Sequence, residues 1–315
     1  MRTISTLVLT VYRESLRSVP RYVRRGELLG IGRIGRFRLT PSSPRSGRDV
    51  SRGTRSCGGL LSIVVLCWMV TSASASGSAV YDPYAVGDRW EYSGSTITVI
   101  SVGEGEQSRS QSFSSTGTQV TEIVSEKERR PNGDVVYLVR TVEKYTGDEP
   151  DAKEDETTSE SLDLVSKRGS FTTAMRTVDE SGGDWRRYDP PLFNLPADPT
   201  AGKKWTVGTV RQDTIKFTDR GQIMAMESLE TPAGDFADCL KVVLMHDSIS
   251  GKMALPDGKN WPVKSGRGMM TVWLARGVGI VRQEQIEQLI FDPGDGRICI
   301  TTKSVSELLP GYTIK

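Results

Sequence analysis

Beyond about position 80 the chain alternates between apolar and polar side chains in a series of short runs. In one of them Leu240, Val242 and Leu244 point to one face if the backbone is extended, because side chains in a strand repeat every two residues. The runs are also rich in β-branched and aromatic residues, which favour strands. The pattern predicts strands at Val135–Tyr145, Asp238–Met245, Met269–Leu274, Ile280–Phe291 and Arg297–Val305.

Short glycine-containing segments with the composition of tight turns separate these runs. They are Pro131–Asp134, Asp219–Gly221, Pro256–Gly258 and Pro293–Gly296. Asn-Gly and Asp-Gly pairs adopt the positive φ angles that hairpins need. Strands joined by such short turns pair antiparallel, and no window has the period of a long amphipathic helix. We therefore predict an all-β protein built from a curved antiparallel sheet.

Two segments differ from this pattern. Gly147–Ser161 is strongly acidic and lacks the ordered carboxylate spacing of a calcium loop, so we expect an exposed loop without bound metal. Trp185–Trp205 contains a cluster of prolines, which cannot donate to a sheet ladder and exclude a central strand. We expect an ordered strap there, held to the surface by its apolar side chains.

A short motif occurs twice, 115 residues apart. Asp82–Trp90 and Asp198–Trp205 both run from Asp-Pro through a small turn to Gly-x-x-Trp. One interpretation is a duplication, with a first β half at 76–195 and a second at 196–315. The alternatives are two unrelated strand starts that share a common turn, and a single continuous domain at 76–315.

The N-terminal region has the features of an export signal. Residues 58–70 form a short apolar run after Arg52 and Arg55, and a stretch of small residues follows it. We interpret 50–75 as a signal peptide cleaved after Ala75, and 1–49 as a non-native extension or disordered leader, since signal peptides total about 15–30 residues. The prediction is an extracytoplasmic protein, periplasmic or secreted, with no stable membrane span after cleavage.

The near-neutral net charge conceals two regions of opposite sign. Residues 1–75 contain 13 arginines and three acidic residues, which leaves 28 basic and 36 acidic residues in 76–315, a net charge of −8. An acidic domain binds nucleic acids poorly, because its negative charge is repelled by the negative phosphates. We therefore expect no nucleic-acid partner.

Cysteine and histidine are scarce in the exported part. Cys239 and Cys299 lie in predicted strands, and they either form a disulfide, if those strands are neighbours, or remain as buried thiols. The single histidine, His246, ends a strand, and we interpret it as a structural residue. Neither residue type occurs at the spacing of a zinc site, and we expect no cofactor.

Four phrases in the chain resemble a group of uncharacterised exported bacterial β proteins, similar to the domain-of-unknown-function 3108 set. The phrases are YDPYAVGDRWEY at Tyr81–Tyr92, YDPPLFNLP at Tyr188–Pro196, TPAGDFADCLKVV at Thr231–Val243 and WLARGVGIVRQ at Trp273–Gln283. The resemblance implies an extracytoplasmic curved sheet, likened to the half-barrels of lipoprotein carriers. It implies no catalytic residues.

These features favour a non-catalytic binding or carrier module for an apolar small molecule or lipid, because a curved sheet has a concave face that such a ligand can fill. The large side chains expected to line that face are Trp90, Tyr92, Tyr137, Trp205, Met245 and Trp273. The alternative is a structural or protein-interaction component of the cell envelope, in which these residues are core.

A hydrolase is the third and least favoured hypothesis. No serine-hydrolase, zinc-protease or penicillin-binding motif is present in the sequence. A pair of carboxylates is the remaining route to catalysis, with Asp184, Asp189 and Glu227 as candidates that the sequence does not pair. We therefore predict that the protein is not an enzyme.

Overall fold

The computed structural model describes residues 81, 83–103, 108–148, 154–178, 182–212, 214–254, 260–292 and 297–315. The predicted leader at 1–49, the predicted signal peptide at 50–75 and the turns at 256–258 and 293–296 lie outside these residues. The described ranges contain no helix, and therefore no helix long and apolar enough to span a membrane.

Fourteen strands make up the described part of the chain. The first six are β1 (Arg89–Val102), β2 (Arg109–Arg129), β3 (Val135–Gly147), β4 (Asp155–Ser166), β5 (Gly169–Val178) and β6 (Arg186–Pro196). The remaining eight are β7 (Lys204–Gln212), β8 (Ile215–Thr231), β9 (Gly234–His246), β10 (Ile249–Ser250), β11 (Lys252–Ala254), β12 (Asn260–Ala275), β13 (Gly279–Phe291) and β14 (Ile298–Leu308).

All the pairings are antiparallel and belong to one sheet, in the order β10-β8-β9-β12-β13-β14-β1-β2-β3-β4-β5-β6. Strand β7 pairs with the edge of β8 that β9 and β10 leave open, so β7 and β6 are the two ends of the sheet. The sheet curves until these ends meet. There the indole Nε1 of Trp205 in β7 donates to the carbonyl of Phe193 in β6, at 2.8 Å.

The predicted all-β class and curved antiparallel sheet are confirmed, and each of the five predicted strands lies within or overlaps an observed one. The turn predicted at Pro131–Asp134 joins β2 to β3. The turn predicted at Asp219–Gly221 is wrong, because these residues lie inside β8. Asp219 is buried there, and Gly221 provides the space that the ring of Trp205 occupies.

Two other segments are more regular than expected. The proline-rich strap contains a true strand, β6, which forms one end of the sheet. A strand at the end of a sheet tolerates proline because one of its sides forms no ladder hydrogen bonds. The prediction that this segment cannot form a central strand is therefore correct. The acidic segment is shorter than predicted, since β4 begins at Asp155.

The repeated motif forms the same local structure twice. Gly87 and Gly202 have φ angles of 91° and 84°, values that glycine adopts without steric cost. Each glycine donates its N–H to the carbonyl of an isoleucine, Ile123 or Ile223, at 2.8 Å. The backbone N–H of the same isoleucine donates to the carbonyl of the residue that follows the glycine, Asp88 or Lys203, at 2.9 Å. The division into two domains remains a prediction, since every described strand belongs to one sheet.

Strand order extends this likeness beyond the motif. Strands β1 to β6 form a meander of six, and β7, β8, β9, β12, β13 and β14 form a second meander of six. The two meanders join by backbone hydrogen bonds between β14 and β1. Because β6 contacts β7 at the other side, each meander faces the other across the interior of the curved sheet.

Two apolar clusters fill opposite parts of the molecule. The large core comes mainly from β6 to β14 and includes Leu192, Phe217, Ile223, Leu244, Val272, Leu274, Phe291 and Ile300. The small core includes Trp90, Tyr92, Ile123, Val139, Trp273, Val281 and Leu308. Burial of side chains of this size contributes roughly 1.5–3 kcal/mol each, which makes the two cores the main source of stability.

The two cysteines do not form a disulfide. Cys239 is buried in β9 and Cys299 is half-buried in β14, and both are free thiols. Strands β12 and β13 lie between them in the sheet, which separates them by roughly 14 Å at the usual strand spacing. A bridge needs Cα atoms within about 7 Å, so of the two alternatives the structure has the unbridged thiols.

Candidate functional site

A row of polar residues crosses the interior face between the meanders. His246 lies directly opposite Gly268, which lies opposite Glu287, which lies opposite Thr302, which lies opposite Thr98. Residues directly opposite in a ladder project from the same face. We call Asp219, His246 and Glu287 the acidic row.

The histidine is fixed by its neighbour in β8. His246 Nδ1 lies 3.0 Å from Oδ1 of Asp219, and the ring packs against Phe217 with 5.0 Å between centroids. A carboxylate only accepts hydrogen bonds, so Nδ1 carries a proton, and in the neutral form of the ring Nε2 then presents a lone pair. Nε2 lies over Gly268, where an added Cβ would be only 2.4 Å away.

Three buried acceptors of the acidic row are unsatisfied. Asp219 Oδ2, His246 Nε2 and Glu287 Oε1 have no hydrogen-bond partner among the described residues. The exposed fractions of these three residues are 0%, 6% and 4%. Burying an unpaired polar atom costs about 1–3 kcal/mol, and native proteins retain few such atoms without a reason.

Burial also changes the acidity of the row. It raises the pKa of Asp219 to about 6, against the opposing effect of the hydrogen bond and charge of His246. It raises the pKa of Glu287 to about 7, where His246 opposes the shift and Asp219 adds to it. Both carboxyl groups therefore hold protons more tightly than exposed ones do.

Hydroxyl side chains continue the polar surface towards the small core. On β14 the interior face carries Thr302, Ser304 and Ser306, which are all half-buried, whereas their β1 partners Thr96 and Thr98 are buried. We call these five residues the hydroxyl belt. The belt lies between Ile300 of the large core and Leu308 of the small core, so the interior of β14 changes from apolar to polar and back.

A second buried carboxylate lies in the first meander, and its environment differs. Asp163 accepts from the Tyr84 hydroxyl at 2.7 Å and from Thr172 at 3.1 Å, and Thr172 accepts in turn from Asn194 at 2.9 Å. Burial raises the pKa of Asp163 to about 7, and hydrogen bonds from Tyr84, Thr172 and Ser161 oppose the shift. Both carboxylate oxygens of Asp163 have donors.

The structure separates the six residues predicted to line a ligand site. Trp90, Tyr92 and Trp273 are buried in the small core and Tyr137 packs against it, while Trp205 packs against the large core. The indole of Trp90 donates to the carbonyl of Val278 at 2.6 Å, and the hydroxyl of Tyr92 donates to that of Ile280 at 3.2 Å. Four of the six therefore belong to or pack against one cluster beyond the hydroxyl belt, although the register places Trp273 on the face that carries Met269 and Lys241.

Met245 lies on the opposite, outer face of the sheet. It pairs directly with Met269, which pairs with Ile286, and Ile286 pairs through Lys303 with Ile97. Met269, Ile286 and Ile97 are 44%, 37% and 47% exposed. Met245 therefore does not line the interior and belongs to a row of apolar side chains on the outer surface.

The carboxylates considered for hydrolysis are not brought together. Asp184 and Asp189 are exposed near the start of β6, whereas Glu227 lies in β8. Glu227 accepts from the indole of Trp273 and from Lys241 Nζ at 3.1 Å, and the hydrogen bond from Trp273 contributes most to lowering its pKa. In the described ranges no group of three or more His, Cys, Asp or Glu side chains could hold a metal ion.

Sequence reasoning missed the acidic row. His246 was interpreted as an isolated strand end and Asp219 as part of a turn, while Glu287 was not singled out. The signals available were a lone histidine in a β-rich chain and two acidic residues within alternating runs. Only the register across β8, β9, β12 and β13 places the three on one face.

Comparison with known proteins gives one family and three solved structures. Residues 203–288, about a quarter of the chain, match the model of the DUF3108-like family, which confirms the expected similarity to the DUF3108 group. This segment contains all three residues of the acidic row. No curated protein matches the chain.

The solved structures are distant. A protein of YmcC-like fold from Bacteroides fragilis, described as a candidate exported protein, is 13% identical, with 73% of this chain and 98% of that chain covered and a TM-score of 0.27. DynF of the dynemicin biosynthesis pathway of Micromonospora chersina is 11% identical, with 74% and 84% covered and a TM-score of 0.24. A DUF1329 family protein from Desulfovibrio piger is 10% identical, with 71% and 87% covered and a TM-score of 0.14. At such TM-scores these likenesses add nothing to the fold described above.

Proposed function

We propose that this protein is an extracytoplasmic, non-catalytic binding protein that carries an amphipathic small molecule between its two meanders. Export follows from the predicted signal peptide at 50–75. The carrier role follows from the character of the interior, where hydroxyl and acidic side chains lie between two apolar cores. A wholly apolar ligand would leave these polar groups without partners, so the ligand needs a polar part as well.

The observation that carries this proposal is the partial exposure of Thr302, Ser304 and Ser306. They share the interior face with Glu287 and Thr98, which are both buried. A core filled to the usual density leaves its side chains without access to solvent. Interior hydroxyls that retain access therefore favour a place where a ligand can lie.

The junction of β6 and β7 offers a route for exchange. No backbone ladder joins these two strands among the described residues, and the Trp205–Phe193 hydrogen bond spans them instead. Leu192 of β6 packs over Gly208, and Gly208 pairs with Asp219. Opening the junction would therefore uncover the acidic row without breaking a strand pair.

Titration of the delipidated protein with an uncharged fluorescent amphiphile, a fatty-alcohol analogue, tests the carrier role without depending on the charge of the head group. Ser304→Trp fills the hydroxyl belt, whereas Lys303→Trp places the same side chain on the outer face of the same strand. We expect saturable binding in the native protein and in Lys303→Trp, and its loss in Ser304→Trp. Absence of saturable binding in the native protein, or equal binding by the two variants, would count against a carrier.

The outer row of Met245, Met269, Ile286 and Ile97 supports a second candidate, a protein-interaction component of the cell envelope. Exposed apolar side chains clustered on an outer face often mark contact surfaces, and here Met245, Met269 and Ile286 are neighbours while Lys303 separates Ile286 from Ile97. Pull-down from envelope extract distinguishes the candidates. A stoichiometric protein that Met269→Asp no longer captures would favour the interaction role over the carrier.

A further inference from the structure

We propose that the acidic row binds a protonated amine head of the ligand, a nitrogen cation that carries N–H donors. This inference rests on the carrier function and names the chemical class that the interior recognises. Within the row, the buried atoms left without partners among the described residues are Asp219 Oδ2, His246 Nε2 and Glu287 Oε1.

The hydrogen-bond roles follow from the geometry. Asp219 Oδ1 accepts from the Nδ1–H of His246, with 3.0 Å between the two heavy atoms, which leaves the second oxygen of Asp219 and Nε2 of the neutral ring as acceptors. Glu287 adds an acceptor from β13, across the glycine of β12. A primary ammonium has three donors and no acceptor, which matches three acceptors, whereas a hydroxyl has one donor and a carboxylate none.

Charge selects in the same direction. The row contains two carboxyl groups, and burial strengthens the attraction between a carboxylate and a cation relative to water. A cation beside the row favours the ionised form of both carboxyl groups, so their affinity for protons falls as the amine binds. An anionic head would face the same groups with like charge.

Glycine at position 268 makes room for the imidazole of His246. The imidazole lies where a side chain on β12 would otherwise project, and a Cβ at Gly268 would contact Nε2 at 2.4 Å and Cε1 at 2.5 Å. The row is not arranged to hold a metal ion in the described part of the chain. An ammonium group differs from a metal ion because its nitrogen lies about 2.7–2.9 Å from each acceptor, whereas a zinc–oxygen bond is only about 2.0–2.2 Å long.

The test compares three amphiphiles with one alkyl tail, each used below its micellar concentration. Dodecylammonium has charge and donors, dodecyltrimethylammonium has the charge without donors, and dodecanoate has the opposite charge. Calorimetry on the native protein is expected to show dodecylammonium binding at least about tenfold more tightly than either of the others, a difference of about 1.4 kcal/mol.

Glu287→Gln removes a carboxylate from the row, and Glu284→Gln removes one from the other face of the same strand. The preference for dodecylammonium should disappear in Glu287→Gln and persist in Glu284→Gln. Equal binding of all three amphiphiles to the native protein would overturn the inference and leave the carrier function standing. Binding of none would overturn both. If Glu287→Gln does not fold, the test rests on the native protein alone. Tighter binding of dodecylammonium than of dodecyltrimethylammonium then supports the inference, and equal binding of the two overturns it.

Discussion

Two of the buried carboxylate networks among the described residues differ in how completely their hydrogen bonds are satisfied. In the first meander Asp163 receives donors at both oxygens, from Tyr84 and Thr172. In the second meander the acidic row has a single internal hydrogen bond, and three of its acceptors have no partner in the described ranges. Complete networks stabilise a core, whereas incomplete ones are retained where a protein binds something or stores strain. The difference favours a structural role for Asp163 and supports the proposed binding role of the row.

The largest expected effect is on the complete network. Asp163→Ala leaves the hydroxyls of Tyr84 and Thr172 without their acceptor and creates a small cavity, so we expect a loss of about 3 kcal/mol in the free energy of unfolding. Urea unfolding at pH 6 measures the change. A loss below about 1 kcal/mol would show that this network is no better satisfied than the acidic row.

The pH dependence of stability should be the next largest effect. Burial raises the pKa of Asp163 and Glu287 to about 7 and that of Asp219 to about 6. Groups whose pKa is higher in the folded than in the unfolded chain stabilise the fold fully at low pH, and this stability is lost as pH rises through the folded pKa. Between about pH 4.5 and pH 7.5 we therefore expect the free energy of unfolding to fall.

Thermal unfolding at a series of pH values measures that loss. Asp163→Asn and Glu287→Gln should each flatten the dependence, because each removes one titrating group. A melting temperature that rises from pH 5 to pH 8 would contradict the assignment of these carboxyl groups to a buried interior.

Gly268→Ala sharpens the comparison within the second meander. The new Cβ collides with the ring of His246, so we expect a loss of about 1–2 kcal/mol. Removal of the ring in Gly268→Ala/His246→Ala relieves the collision, and the double variant should therefore lose less than the sum of its two single changes. Strict additivity in urea unfolding would place the ring away from Gly268.

The smallest effect should have the opposite sign. Glu287→Gln adds an amide N–H₂ next to unsatisfied acceptors and removes a buried charge, so we expect a gain of up to about 1 kcal/mol at pH 8. The matched change in the complete network, Asp163→Asn, should be destabilising under the same conditions. The same sign for both variants would remove the distinction between the two networks.

Sequence patterns predicted most of the architecture because alternation and turn chemistry are local. Strands β3, β9, β13 and β14 follow directly from period-two runs. Sequence analysis does not predict β6, because the prolines show only that backbone N–H donors are missing there. They do not show that the segment lies at the end of a sheet, where such donors are not needed. Asp219-Arg220-Gly221 has the composition of a turn but lies inside β8. There the buried carboxylate of Asp219 contacts His246, and Gly221 leaves room for the ring of Trp205.

The candidate site depended on information that no local pattern contains. His246 and Glu287 are separated in sequence by a connection and a whole strand, and a shift of one residue in either ladder would move one of them to the outer face. Met245 illustrates the same point, because it is adjacent to His246 in sequence and lies on the other face. Aromatic residues predicted as a lining turned out to mark the small core.

The most direct test uses the fact that the chain contains one histidine. Protein labelled with nitrogen-15 at histidine, and purified without a histidine tag, gives a single imidazole whose two nitrogens report their own protonation. We predict a proton on Nδ1 in the free protein, and an Nε2 resonance that shifts when dodecylammonium is added but not when dodecyltrimethylammonium is added. A proton on Nε2 in the free protein, or an Nε2 resonance that dodecylammonium leaves unchanged, would contradict the assignment of the acidic row as the binding site.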